Sequence, residues 1–276
     1  MTTIALIGAA GAMGTRAYGA LHDDQDYHIL CVEQGAGEET LRSRGIRSLS
    51  WEDAVPEADI ALMTVPDALV GKVSAQIVPH LKSKAMLMCL DPAAPYAEEL
   101  PDRKDITYFV THPAHPPIFN DEVDPEARRD YFGSGVAKQA IVSALVQGPE
   151  EDYAKGESIA SKMFRPILRS HRVTLEQMAM LEPALSETVG ATCITVMREA
   201  MDEAVRLGVP FEAARDFMLG HITIELAILF DEIDWEFSAG AKVAIQEAKK
   251  DIFKSDWKKV FEAEHLMQSV KRIVDG

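Results

Sequence analysis

This chain is short of positive charge, of cysteine and of long apolar runs, and each shortage closes off a class of function. Lys and Arg number 28 against 44 Asp and Glu, a formal net charge of −16. A field of that sign repels DNA, RNA and anionic membrane surfaces, so any anionic ligand must be met locally, by helix ends or a few placed cations. The three cysteines, Cys31, Cys89 and Cys193, are scattered through apolar stretches. An odd, dispersed set fits buried thiols in a reducing compartment rather than a disulfide frame. No uninterrupted apolar run reaches the length of a membrane span, and the apolar start lacks the basic flank of a signal peptide. The expectation is a cytoplasmic protein that engages neither nucleic acid nor membrane.

What is present is a chain of 276 residues with 47% hydrophobic content, enough for proper cores in one large or two ordinary domains. Up to about residue 173, short apolar runs alternate with helical stretches, the mark of βαβ units. Strands are expected at 3–7, 27–33, 59–65, 85–90, 106–110, 138–146 and 171–174, with helices over Met13–Leu21, Ala68–His80 and Glu151–Phe164. The fold class is therefore α/β, a doubly wound parallel sheet. From Thr174 the strand signals vanish. "TLEQ" at 174–177 reads as a capping box whose helix runs to a stop at Gly208, Pro210 opens a second helix, Ser238 caps a third, and 256–274 forms a fourth. The expected division is 1–173, a nucleotide-type domain, and 174–276, an all-helical domain for substrate binding and dimerisation.

The stretch "TIALIGAAGAMG", residues 3–14, places Gly8, Gly11 and Gly14 at three-residue intervals after a strand and before a helix. In a Rossmann unit such glycines allow a tight turn and close approach of a pyrophosphate to the helix N-terminus, while an acid at the end of the second strand accepts the ribose hydroxyls. Glu33, nineteen positions after Gly14, is that acid. Gly8, Ala10, Gly11, Ala12, Met13, Gly14 and Glu33 are thus expected to hold a dinucleotide, with Val65 and Pro66 from the "TVPD" turn. The Glu33 charge repels a 2′-phosphate and favours NAD over NADP, although Arg42, Arg44 and Arg47 follow downstream. Asp67 and Asp91, in "TVPD" and "DPAAP", are read as turn or cap residues at the ends of later strands.

"THPAHPPIFNDE", residues 111–122, offers His112 and His115 from a backbone stiffened by Pro113, Pro116 and Pro117. A neutral imidazole there can take a hydroxyl proton as hydride leaves, or ligate a metal. His112 is the candidate for proton transfer. In the helical half, the apolar run "FMLGHITIELAILF" should be buried between neighbours. His221 and Glu225 then lie four apart on one face, where they either bond each other or converge on a ligand or ion. "LEPALSETVGATC" adds Glu182, Ser186, Glu187 and Gly190. Two long apolar helices expose more than one small domain can cover, so a homodimer is expected.

With these residues in hand, the chain resembles the superfamily of 6-phosphogluconate, 3-hydroxyacid and prephenate dehydrogenases and ketol-acid reductoisomerase. The turn ending "AMG", "THP" after a late strand and the capped long helix carry the likeness. It implies a Rossmann domain joined to a helical domain that builds a dimer. More narrowly, "THPAHPPIFND" and "EPALSETVGAT" resemble the D-apionate oxidoisomerase group. That likeness implies NAD-dependent oxidation of the C2 hydroxyl of a branched sugar acid, with an alkyl shift giving a 3-oxo isomer. It also implies catalytic roles for His112, His115 and Glu187, and a divalent ion, magnesium or zinc, held by Glu187, His221 and Glu225. This chain has Pro183 where an aspartate would precede Glu187 by four, and His221 in place of a glutamate, which leaves one ion or none open. Two alternatives also stay open: an NAD-dependent 3-hydroxyacid dehydrogenase without isomerisation, and a non-catalytic NAD-binding sensor or assembly protein.

Overall fold

The runs richest in Ile, Leu, Met and Val form the middle of a sheet. The computed structural model describes residues 1–275. Its first part runs β1 (Thr2–Ile7), α1 (Ala12–Leu21), β2 (Tyr27–Val32), α2 (Ala36–Ser43), β3 (Ser48–Leu49), α3 (Trp51–Ala54), β4 (Ile60–Met63), α4 (Asp67–Ile77), β5 (Met86–Cys89), α5 (Ala93–Tyr96), β6 (Thr107–Pro113), β7 (Gln139–Gln147), α6 (Glu151–Met163) and β8 (Ile167–Arg172). The eight strands make one sheet in the order β3-β2-β1-β4-β5-β6-β7-β8. Every residue of β4 and β5 is buried, as the continuous apolar runs of strands covered on both faces require.

Strands β1 to β6 pair in parallel through their neighbours. β7 then runs antiparallel to β6, and β8 parallel to β7. The physical reason lies in the connection: a parallel neighbour needs a crossover, and the proline-bearing segment 114–138 supplies no α-helix to make one. The last strand begins at Ile167, earlier than expected. Helix α2 and the two-residue strand β3 were not signalled by the apolar pattern. The strand order reverses between β1 and β4, which opens a crevice at their carboxyl ends.

Thr174 caps the next helix as its sequence requires. Its hydroxyl accepts from the Gln177 N–H at 3.2 Å, and the Gln177 side chain accepts from the Thr174 N–H at 2.9 Å. Such a cap stabilises a helix by about 1 kcal/mol. The helix is not uniform: α7 (Leu175–Ala179) passes into a π segment, Met180–Ala191, before α8 (Thr192–Arg206). Pro183 lies inside the π segment, where its missing N–H and its ring are incompatible with the regular α ladder. Gly208, in a left-handed conformation (φ +105°), follows the end of α8.

Contacts divide the chain into two compact units, 1–183 with 266–276, and 184–265. The first unit also takes most of α11 (Ala263–Asp275), whose Leu266, Val270 and Val274 are buried. The second holds α8, α9 (Phe211–Leu229) and α10 (Ala239–Ile252), with Ser238 capping α10 through the Ala241 N–H. The expectation that α9 is buried is corrected: only its Ala214 and Ala227 are buried, and Phe217 is 70% exposed. A helix apolar almost all round has too few neighbours within one chain to cover it. Among the described residues no helix is long and apolar enough to cross a membrane.

Candidate active site

The glycine turn is built by β1 and held by β4. Gly8 adopts φ +88°, and a Cβ there would meet the Thr64 carbonyl oxygen at 2.9 Å. The Thr64 hydroxyl lies 2.8 Å from the Ile7 oxygen and 3.0 Å from the Gly8 oxygen, pinning the turn to the next strand. A Cβ on Gly14 would come within 2.2 Å of the Gly8 oxygen, so this glycine lets α1 pack against the turn. Gly11 differs: a Cβ there would meet nothing closer than 3.5 Å. The protein's own packing does not require a glycine at that position. Gly11 is also the N-cap of α1, and no side chain caps this end. The first turn of α1 thus presents its N–H groups and its positive dipole end beside bare backbone, the arrangement that receives a pyrophosphate.

Glu33, just past the end of β2, reaches the same turn, where its Oε1 accepts the Ala10 N–H at 2.7 Å. Its carboxylate lines a cavity of about 220 Å³ together with Gly8, Trp51, Val65 and Leu69. An acid beside an apolar wall suits the ribose hydroxyls and base of an adenosine. Of the downstream arginines, Arg42 pairs with Glu39 at 2.7 Å and Arg44 donates to the Thr15 hydroxyl at 2.7 Å. The residues present therefore fit a dinucleotide, Glu33 and the bare turn most directly.

The carboxyl ends of β4, β5 and β6 bring together Asp67, Asp91 and His112, and the start of the π segment adds Glu182. His112 Nδ1 lies 2.8 Å from the Leu90 carbonyl oxygen. A carbonyl cannot donate, so Nδ1 carries the proton and Nε2 keeps its lone pair. Nε2 faces the Glu182 carboxylate at 3.4 Å, and Nδ1 lies 3.9 Å from Asp91 Oδ2. Asp91 also accepts the Ala93 N–H at 2.7 Å, the turn role its sequence suggested. Burial, followed by the charge of Asp67, pushes the Asp91 carboxyl up to about 7. Burial likewise raises Asp67 above the usual carboxylate range. Three carboxyl groups thus crowd one oriented imidazole, the setting in which enzymes tune acids and bases.

His115 sits in the left-handed region at φ +59°. Its Nδ1–H is donated to the Phe132 carbonyl at 3.0 Å, and its ring lies 6.5 Å from that of His112. The two histidines share a neighbourhood, with only His112 in direct reach of the carboxylates. Asp67, Asp91 and Glu182 are additions to the expected set. The signals were present in the strand-end positions of the two aspartates, but their proximity to His112 depends on how three strand ends align.

In the second unit, His221 and Glu225 line an open apolar cavity of about 520 Å³ formed by α8 and α9. His221 does not bond Glu225. Its Nδ1–H is donated to the Phe217 carbonyl at 2.8 Å, and its ring stacks on Phe217 with centroids 4.0 Å apart. His221 is exposed, so the cost of burying an unpaired polar pair does not arise. Among the described residues, no group of three or more His, Cys, Asp or Glu side chains is arranged to hold a metal ion. Glu187, His221 and Glu225 therefore do not fit a three-donor site within one chain, and no step is assigned to an ion.

Comparison with known proteins gives the family. Residues 120–274 match the family model of the phosphogluconate dehydrogenase (decarboxylating) C-terminal domain, and residues 1–117 match that of the acetohydroxy acid isomeroreductase NADPH-binding domain. The chain is 53% identical to a D-apionate oxidoisomerase from Cupriavidus necator, with 98% of each chain covered. It is 49% identical to a D-apionate oxidoisomerase from Rhizobium rhizogenes, covering 99% of this chain and 100% of the relative. A solved structure of a semialdehyde dehydrogenase NAD-binding protein from Cupriavidus necator, in complex with calcium and NAD, superposes with a TM-score of 0.95 at 52% identity over 99% of both chains.

Proposed function

This chain belongs to the D-apionate oxidoisomerase family, and from that premise we propose that it oxidises the C2 hydroxyl of a branched sugar acid with NAD and couples the oxidation to an alkyl shift. The observation that carries the reading is the fixed tautomer of His112, with Nδ1–H on the Leu90 carbonyl and Nε2 opposite Glu182. NAD, when bound, supplies the acceptor for the hydride. Gly11 and the first turn of α1 hold its pyrophosphate, and Glu33 its adenosine ribose, with Ala10, Ala12, Met13, Val65 and Pro66 alongside. Arg42 is paired with Glu39 and Arg44 with the Thr15 hydroxyl, which together with the Glu33 charge supports NAD over NADP.

His112 Nε2 accepts the proton of the C2 hydroxyl as that carbon is oxidised. The imidazolium that results faces the Glu182 carboxylate, which stabilises it in place. Leu90 holds the ring in the productive tautomer throughout. His115, tied to Phe132, borders the same space and orients the substrate. The test is incubation of the purified protein with NAD and a panel of branched and linear sugar acids. NADH formation with D-apionate and a product whose carbon skeleton has rearranged, read by NMR, is the expected result. NADH with an unrearranged 2-oxo product reduces the activity to a simple dehydrogenase, and no NADH with any acid overturns the reading.

The partner of the second unit is a further copy of the chain. Phe217, Leu219, Leu229, Phe230 and Trp235 are all exposed, an apolar density that a monomer rarely leaves to water. A homodimer through this helical unit covers them. Three free cysteines, Cys31 and Cys89 buried and Cys193 half-buried, suit the reducing cytoplasm.

A further inference from the structure

A cavity runs along the flank of α1, reaching from Ala12 in its first turn to Phe132, the residue whose carbonyl holds His115. It has a volume of about 490 Å³ and is lined by Thr15, Arg16, Phe132, Met163 and Arg165, among others. That volume is in the range of small-molecule sites. The guanidinium of Arg16 is clamped between two aromatic rings, with its carbon 5.3 Å from the Phe132 centroid and 4.9 Å from that of Phe164. Its Nη1 donates to the Phe132 carbonyl at a long 3.4 Å, and its Nη2 is buried with no hydrogen-bond partner.

The nearest candidate counter-charge is already engaged. Asp130 accepts the Ser134 N–H at 2.6 Å and the Val136 and Ala137 N–H groups at 3.1 Å. Among the described residues neither Arg16 nor Arg165 forms an ion pair. In a chain of net charge −16, two unpaired arginines at one cavity are conspicuous. Burial lowers the pKa of Arg16 from its ordinary value, an effect that the charge of Asp130 only partly offsets. A planar fork fixed by stacking, with an unsatisfied edge, matches a carboxylate or phosphate oxygen pair.

We propose that this cavity binds a small organic oxyanion, a phosphate monoester or a carboxylate, on Arg16 and Arg165, with the apolar wall of Met163 and Phe132 taking its carbon body. The inference does not rest on the proposed reaction. Calorimetric titration of NAD-saturated protein tests it, because the dinucleotide turn is then filled. Inorganic phosphate and malonate are the two probes, one for each oxyanion type. Heat from at least one, weakened about tenfold or more in both Arg16→Gln and Arg165→Gln and also by added salt, is the expected result. Which probe binds identifies the oxyanion type. Arg165 is exposed, so its variant keeps the test valid should Arg16→Gln fold poorly. Absence of heat with both probes, equal binding by wild type and variants, or displacement of NAD by the anion overturns the proposal.

Discussion

The two units differ in how their apolar residues are satisfied. In the first, Ile4, Leu62, Leu87 and Phe109 are essentially inaccessible, and the buried hydroxyls of Thr111 and Ser143 share a hydrogen bond of 2.9 Å. In the second, the buried residues are few, three alanines and Met201, and large side chains such as Phe217 and Trp235 stand open. The sequence is comparably apolar in both. What differs is completion: the sheet closes its own core, whereas the helical unit has the composition of a core without enough chain to enclose it. Catalytic precision belongs to the first kind of environment, because an imidazole keeps one tautomer only where its surroundings do not fluctuate.

The sharpest test of that difference is His112→Ala. Removing a positioned proton acceptor should lower turnover by about 10²–10⁴-fold while leaving the NAD dissociation constant within about twofold of wild type. Steady-state rates and calorimetry read the two quantities separately. A turnover close to wild type would take the chemistry away from the strand ends and weaken the case for the rigid unit.

A pair of glycine variants follows in size. Gly14→Ala drives a methyl against the Gly8 oxygen and the Ala9 backbone and should cost about 2–4 kcal/mol of stability. Gly11→Ala meets no atom closer than 3.5 Å, so its thermal stability should stay near wild type, whereas its NAD affinity falls by about tenfold. Equal effects of the two on melting temperature would show that the turn is a packing device alone. The second unit is probed by Phe217→Glu, which places a charge on the exposed apolar face. Sedimentation should then show self-association weakened by about 30-fold or more, with NAD binding by the first unit retained. A variant that associates as well as wild type would locate the interface elsewhere.

How much of this was legible in the sequence follows from the range of each interaction. The Thr174–Gln177 box and the Ser238 cap are local devices, and each caps its helix as its spacing implies. The antiparallel β7 depends on the absence of a crossover over a long segment. The π segment answers to Pro183 and its packing. Glu182 opposite His112 requires a helix and a strand end distant in sequence to meet, a fact no periodicity encodes. Conversely, His221 and Glu225 carried a convincing local pattern, i and i+4 on an apolar helix. Of the two outcomes that pattern allowed, the mutual bond does not form, because the histidine donates to the Phe217 carbonyl, and the two side chains instead line one cavity.

The last test addresses the crowding around His112 directly. Asp91 shares its surroundings with Asp67, His112 and Glu182, and burial with the Asp67 charge raises its carboxyl from 3.8 to about 7. The folded protein therefore binds more protons than the unfolded chain between those values. The contribution of this group to stability is full below 3.8 and falls progressively as pH rises to about 7. Asp91→Asn keeps an oxygen for the Ala93 N–H but removes the ionisation. Thermal unfolding of the two proteins across pH should show the variant gaining on wild type as pH rises through that window, and a constant difference above it. Wild type gaining on the variant instead would mean that the carboxylate form is favoured in the fold. The three acids would then be separated or solvated, and His112 would lack the dense environment that sets the sheet apart from the helical unit.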